Sequence, residues 1–191
     1  MKRVLLLLSD GFEEIEAVSI IDILRRAGVE VFAANYIPES DDSAGHSSDI
    51  VRGAHGVNIK ADIPFSEAVQ NEYDAVVLPG GGPNAQTLAS SNEVLKLIQF
   101  CYNKGKLVAA ICAAPKILAS AGVSAGHAIT SFPGFEHLFA DYKTDPVVVS
   151  GNVVTSRGPG TAIPFALKLA EILAGSFISE QLKKDLCLSL E

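Results

Sequence analysis

Three short stretches of the sequence carry the side chains able to do chemistry. Ser9-Asp-Gly-Phe-Glu-Glu-Ile-Glu16 crowds three carboxylates, Glu13, Glu14 and Glu16, into the opening turn of a helix, Leu78-Pro-Gly-Gly-Gly82 offers unencumbered backbone N–H groups, and Ala109-Ala-Ile-Cys-Ala-Ala-Pro115 sets one sulfur among small apolar groups. Glu13 and Glu14 need no explanation beyond the field at a helix N-terminus, which favours acids. Glu16 stands between Ile15 and Ala17 and points in a different direction.

A thiol among apolar neighbours is more often inert filling than a nucleophile. Position argues the other way for Cys112, because a residue that ends a buried strand and opens a helix projects from the sheet edge, as in a nucleophile elbow. Helix N–H groups there favour thiolate. A carboxylate beside that thiolate repels it, so one of the two holds a proton. With Glu16 as the protonated partner, the expectation is a thiol of low pKa that attacks carbonyls and oxidises easily, the acid moving a proton or holding an oxidised sulfur oxygen. The glycine turn is neither a Walker loop nor a dinucleotide fingerprint, but its N–H groups can face an oxyanion.

Each stretch follows an apolar run. Val4 to Leu8, Val29 to Ala34, Asp74 to Leu78 and Lys106 to Ile111 read as strands, and Ile15 to Arg26 reads as a helix with Ile15, Val18, Ile21 and Leu24 inward, closing at Gly28. Helical period is expected from about Ala85 through Lys104, from Ala113 to Ala121, near Thr161 to Leu173, and from Ser179 to Leu186. Strands are expected at Ile50 to Arg52, Val57 to Lys60 and Ile129 to Ser131, with a hairpin joining Val147–Val149 to Val153–Thr155. Polar residues 38–48 read as an exposed, disordered loop. The alternation predicts a single α/β domain over residues 1–191, an open, mostly parallel sheet sandwiched by helices, with ligands at the carboxyl ends of the strands.

Composition excludes several classes. The net charge of -7 is spread without a basic cluster, which argues against nucleic acid. Three cysteines, 101, 112 and 187, far apart and without close pairing, suggest neither a disulfide framework nor zinc, and point to a reducing, cytoplasmic compartment. Val4 to Leu8 is too short for a signal core, and no membrane span is expected. Histidines 46, 55, 127 and 137 show no metal-ligand spacing and read as solvated, so no metal and no cofactor are expected.

Taken with Thr155-Ser-Arg-Gly-Pro-Gly-Thr161, the motifs resemble the ThiJ/PfpI superfamily nearly end to end, and within it the branch of the parkinsonism-associated deglycase and its bacterial YajL relatives. The resemblance implies a flavodoxin-like sandwich, Cys112 as the elbow cysteine, Glu16 as the buried acid touching it, and Gly81 with Ala113 as oxyanion-hole amides. It implies a homodimer, with Ser156, Arg157 and Pro159 near the adjacent subunit's cysteine and Arg26 and Arg52 near the interface. The implied activities are conversion of methylglyoxal to lactate without glutathione, removal of early glycation adducts from side chains, redox sensing and chaperone action. Phe132 stands where the human-type branch has histidine, and Ala113 stands where the protease branch has histidine after its cysteine, so peptide hydrolysis is not encoded.

Overall fold

All five residues from Val4 to Leu8 are apolar and fully buried, so the strand they form, β1 (Arg3–Leu8), must be covered on both faces. β6 (Ala75–Leu78) and β7 (Leu107–Ile111) are buried along their whole length in the same way. The computed structural model describes residues 1–38 and 49–188; the loop expected at 38–48 lies, apart from Pro38, outside the described residues.

These strands lie at the middle of a seven-stranded sheet. β2 (Glu30–Asn35) pairs with β1 on one side and β5 (Ile63–Pro64) lies beyond it; β6, β7, β11 (Val153–Ser156) and β10 (Val147–Ser150) extend the other side. Every pairing is parallel except that of β10 with β11, the expected hairpin. The chain moves outward from β1 to β2 and β5, then returns to lay β6 against β1's free edge. That reversal opens a crevice at the carboxyl ends of β1 and β6.

Two groups of helices cover the sheet. α1 (Glu14–Arg26) packs with α6 (Ala162–Ala174), which also packs on α7 (Ser176–Asp185). α3 (Gly82–Ala89), α4 (Asn92–Asn103) and α5 (Pro115–Ser120) pack on one another. Among the described residues no helix is long and apolar enough to cross a membrane.

Several expectations need correction. α1 buries Glu14, Glu16, Ala17, Ile20, Ile23 and Leu24, while Ile15 and Val18, expected inward, are 57% and 47% exposed. Apolar residues run almost round this helix, so period alone does not choose its buried face. The helix expected from Ala85 to Lys104 is two, because the Ser91 hydroxyl caps a fresh start by accepting from the Val94 N–H at 3.2 Å. The strand expected at Ile129 to Ser131 is only β8 (Ala128–Ile129), which pairs with an unforeseen β9 (Asp141–Tyr142). β5 and the short α2 (Phe65–Ala68) were also not expected, whereas β3 (Ile50–Arg52) and β4 (Asn58–Lys60) form the expected pair.

Candidate active site

Cys112 follows β7 directly and has φ of 65°, a left-handed conformation that an L side chain adopts at a cost of about 1–3 kcal/mol. Two backbone hydrogen bonds hold it there: its N–H donates to the Ser156 carbonyl at 3.0 Å, and its carbonyl accepts from the Phe132 N–H at 2.8 Å. The thiol-bearing residue is 9% exposed, so it is reachable but mostly desolvated. α5 begins only at Pro115, three residues later than a helix opening at the sulfur would.

Glu16 approaches from α1 and is fully buried. Its Oε2 accepts the Gly80 N–H at 2.6 Å, while Oε1 is buried without a well-formed partner. Gly80 fills the gap between acid and cysteine: a Cβ there would lie 2.6 Å from Cys112 Cβ and 2.8 Å from Glu16 Oε2. Gly81 has φ of 90°, and a Cβ on it would run into the Gly11 carbonyl oxygen. Only glycine lets the loop after β6 touch the loop after β1.

A fully buried Asn84, not singled out from the sequence, fastens these loops. Its Oδ1 accepts the Ser9 N–H at 2.7 Å, and its Nδ2 donates to the Pro79 and Gly80 carbonyls at 2.9 and 3.0 Å. The segments that follow β1 and β6 are thereby tied to each other beside the cysteine.

Glu16 is shifted toward its protonated form, as expected, while the Cys112 thiol is shifted upward rather than downward. Burial raises the Glu16 pKa from 4.5 to about 7; hydrogen bonds from Gly80 and the Cys112 thiol work against this, and the charge of Glu13 adds to it. Cys112 is pushed up to about 12, first by burial and then by the Glu16 carboxylate, to which the thiol donates. The N–H groups of Ala113 and Gly81 pull its value down. Burial and the shared proton thus push both groups toward their protonated forms, and the part of the thiol's rise that comes from Glu16 depends on that acid being ionised. With the proton on Glu16, the repulsion from that carboxylate vanishes and the two N–H groups still face the sulfur.

The other residues named from the sequence are spread more widely. Ser156 lies beside the cysteine of its own chain; its hydroxyl donates to the Pro146 carbonyl and meets Thr161 Oγ1, each at 2.7 Å. Pro159 opens the helical turn that carries Thr161, and Arg157 Nη1 donates to the Thr144 carbonyl at 3.4 Å. Arg26 pairs with Asp22 at 2.8 Å one turn earlier on α1. The Arg52 backbone N–H reaches Asp10 Oδ1 at 2.9 Å and its carbonyl accepts the Gly11 N–H at 2.7 Å.

Of the histidines expected to be solvated, His127 is part-buried among partners, and His55 is solvated but also paired. His127 meets the Tyr102 hydroxyl at 2.8 Å and Ser150 Oγ at 3.2 Å. His55 is exposed, yet its ring lies 3.0 Å from Glu14 Oε2. No sequence signal could have paired residues so far apart.

The profile of the DJ-1/PfpI family matches residues 2–172. The chain belongs to the DJ-1/PfpI family. Within the family, Drosophila melanogaster protein dj-1beta is 38% identical over 191 residues, covering 97% of this chain and 96% of that protein. A Caenorhabditis elegans relative named glutathione-independent glyoxalase DJR-1.2 is 33% identical, with 97% and 95% covered. The crystal structure of Drosophila DJ-1beta matches with a TM-score of 0.89 at 37% identity over 98% of both chains. Oxidized Toxoplasma gondii DJ-1 gives the same TM-score, identity and coverage. These likenesses establish the mostly parallel sheet flanked by helices as the DJ-1 fold.

Proposed function

We propose that the protein is a cysteine-dependent glyoxalase that converts methylglyoxal to lactate without glutathione. The observation that carries this reading is one buried acid, Glu16, sharing its surroundings with a thiol that two backbone N–H groups also face. The glyoxalase name of the nematode relative supports it.

In the first step Cys112 sulfur adds to the aldehyde carbon; the thiol proton goes to the aldehyde oxygen by way of Glu16, giving a hemithioacetal. Ala113 and Gly81 N–H groups stabilise the oxygen as charge develops on it. Ionised Glu16 then takes the proton from the former aldehyde carbon and returns it to the neighbouring carbon, while the hemithioacetal hydroxyl proton passes to the ketone oxygen, so that the ketone becomes an alcohol and the hemithioacetal a thioester. Water cleaves the thioester, giving lactate and the free thiol. Early glycation adducts present the same hemithioacetal or aminocarbinol carbon and form a second substrate class.

The same geometry favours a second reading, a redox-sensing, chaperone-like homodimer without physiological turnover. A sulfinate at Cys112 has the N–H groups of Gly81 and Ala113 as donors, and protonated Glu16 as another. Exposed Ile15 and Val18 supply an apolar face for a second copy of the chain. The three cysteines are all free, which suits a reducing, cytoplasmic setting.

Incubation of the protein with methylglyoxal is expected to yield lactate, and Cys112→Ser to abolish it. An unchanged rate in that variant sinks the enzyme reading. Mass spectrometry after mild peroxide is expected to show two added oxygens on Cys112 in Glu16→Gln as in the parent if sensing is the role, because a hydrogen-bond donor is retained.

A further inference from the structure

Phe132 is an exposed aromatic residue beside a nearly closed thiol. It is 46% exposed, although apolar surface left in water forgoes the gain of burial. Its backbone is fixed to the site: the N–H donates to the Cys112 carbonyl at 2.8 Å, and the carbonyl accepts the Ser131 hydroxyl at 3.1 Å. A single N–H to carbonyl bond between two chain segments sets their Cα atoms about 5 Å apart, a spacing across which an aromatic side chain reaches. The ring rests against Gly158, where a Cβ would come 3.4 Å from Phe132 Cδ2. Gly158 closely follows Ser156, whose carbonyl holds the Cys112 N–H at 3.0 Å. Both peptide groups of the cysteine are thus engaged by the two segments that place this ring.

The sheet order divides the surroundings of the sulfur. β7 lies between β6 and β11. Glu16 and Gly81 come to Cys112 from the side of β1 and β6. Phe132 and Gly158 come from the side of β11, to which the 130–132 segment is tied by the Thr130 N–H donating to Thr155 Oγ1 at 3.0 Å. A 2-oxoaldehyde with its aldehyde oxygen at the Gly81 and Ala113 N–H groups and its C–H toward Glu16 spends the first side on its reacting atoms. The substituent on its ketone carbon is left the second side, where a phenyl ring offers apolar contact and no hydrogen bond.

We infer that Phe132 is a specificity-determining residue, its ring forming an apolar shelf that favours 2-oxoaldehydes carrying an aromatic or branched apolar group over methylglyoxal. This rests on the glyoxalase reading and narrows its substrate class. The chemistry is unchanged: phenylglyoxal takes up one water and leaves as mandelate, its ketone carbon reduced and its aldehyde carbon oxidised within the same molecule. The ring meets the substituent alike in the bound substrate and in the transition state, so its effect falls on KM more than on kcat.

The test compares methylglyoxal and phenylglyoxal as substrates, read as lactate and mandelate, in the parent, Phe132→Ala and Phe132→Leu. The parent is expected to show the higher kcat/KM on phenylglyoxal. Phe132→Ala should lower that value about ten-fold, mainly through KM, and leave methylglyoxal within about two-fold, while Phe132→Leu recovers most of the loss. No preference in the parent, an unchanged ratio in Phe132→Ala, or equal losses on both substrates overturns the inference and leaves the glyoxalase reading standing. Should Phe132→Ala fail to fold, Phe132→Gln, which keeps the bulk and loses the apolar face, carries the same expectations. Absence of both products from the parent overturns the glyoxalase reading instead, and protection of Cys112 by phenylglyoxal against iodoacetamide, read by mass spectrometry, then decides the shelf. Protection that needs about ten-fold more phenylglyoxal in the variant supports it, and unchanged protection overturns it.

Discussion

Glu14 and Glu16 stand two positions apart in the first turn of the same helix, and their surroundings shift their pKa values in opposite directions. Burial acts to raise both. At Glu14 the His55 ring and the N–H groups of Glu14, His55 and Val57 outweigh it, and the pKa falls from 4.5 to about 2. At Glu16 only Gly80 and the Cys112 thiol donate, and the pKa rises to about 7. The helix field is nearly common to the two, so it does not decide. The number and kind of donors do, and they divide the pair into an anion that anchors a loop and an acid able to exchange its proton near neutral pH.

Replacing each acid in turn breaks this comparison most directly. Glu16→Gln removes the exchangeable proton and is expected to lower methylglyoxal turnover by about 10²–10⁴-fold. Glu14→Gln keeps an acceptor of the same shape and should leave turnover far closer to the parent, while costing about 1–3 kcal/mol of stability through weakened bonds to the 55–57 loop. Lactate production and urea unfolding of both variants check this. Equal losses of turnover would mean that the two acids are not divided by role.

The next effect is the pH dependence of stability, where the two acids have opposite signs. The folded Glu16 pKa lies above its unfolded value, so its contribution is fully present below about 4.5 and is lost as pH rises through about 7. Ionising it in the folded protein costs on the order of 3 kcal/mol. Glu14 behaves inversely, its contribution being present above about 4.5 and lost as pH falls through about 2. Unfolding free energies between pH 5 and 8 should therefore fall in the parent relative to Glu16→Gln, and parallel curves would refute the raised value.

The sequence made the cysteine site readable because each part of it is local. Buried runs end at Leu8, Leu78 and Ile111, a glycine turn or a lone cysteine follows at once, and parallel pairing brings such ends together. What failed depended on long-range contacts. The thiol pKa turns on burial and on a carboxylate brought in by another helix. His55 meets Glu14 across 41 residues, and Asn84 meets Ser9 across 75. The inward face of α1 was misread because Ile15, Val18, Ile20, Ile21, Ile23 and Leu24 ring the helix, so only tertiary packing could choose among them.

Asn84 gives the finest test of how Glu16 differs from Glu14. It holds the Pro79 and Gly80 carbonyls and the Ser9 N–H, and so fixes the peptide whose N–H reaches Glu16 Oε2. It touches neither Glu14 nor Cys112 through any of these bonds. Asn84→Ala strands the Ser9 N–H and the buried Pro79 carbonyl, while the Gly80 carbonyl keeps the Glu13 N–H, and should cost about 1–3 kcal/mol. With its donor loosened, Glu16 should titrate at a still higher pH, moving the acidic limb of the turnover profile upward while the Glu14 carboxyl signal in NMR stays in place. A profile that keeps its limb despite the lost stability would make Asn84 a fold residue only. A shift shared by Glu14 would show that the two acids answer to a common field after all.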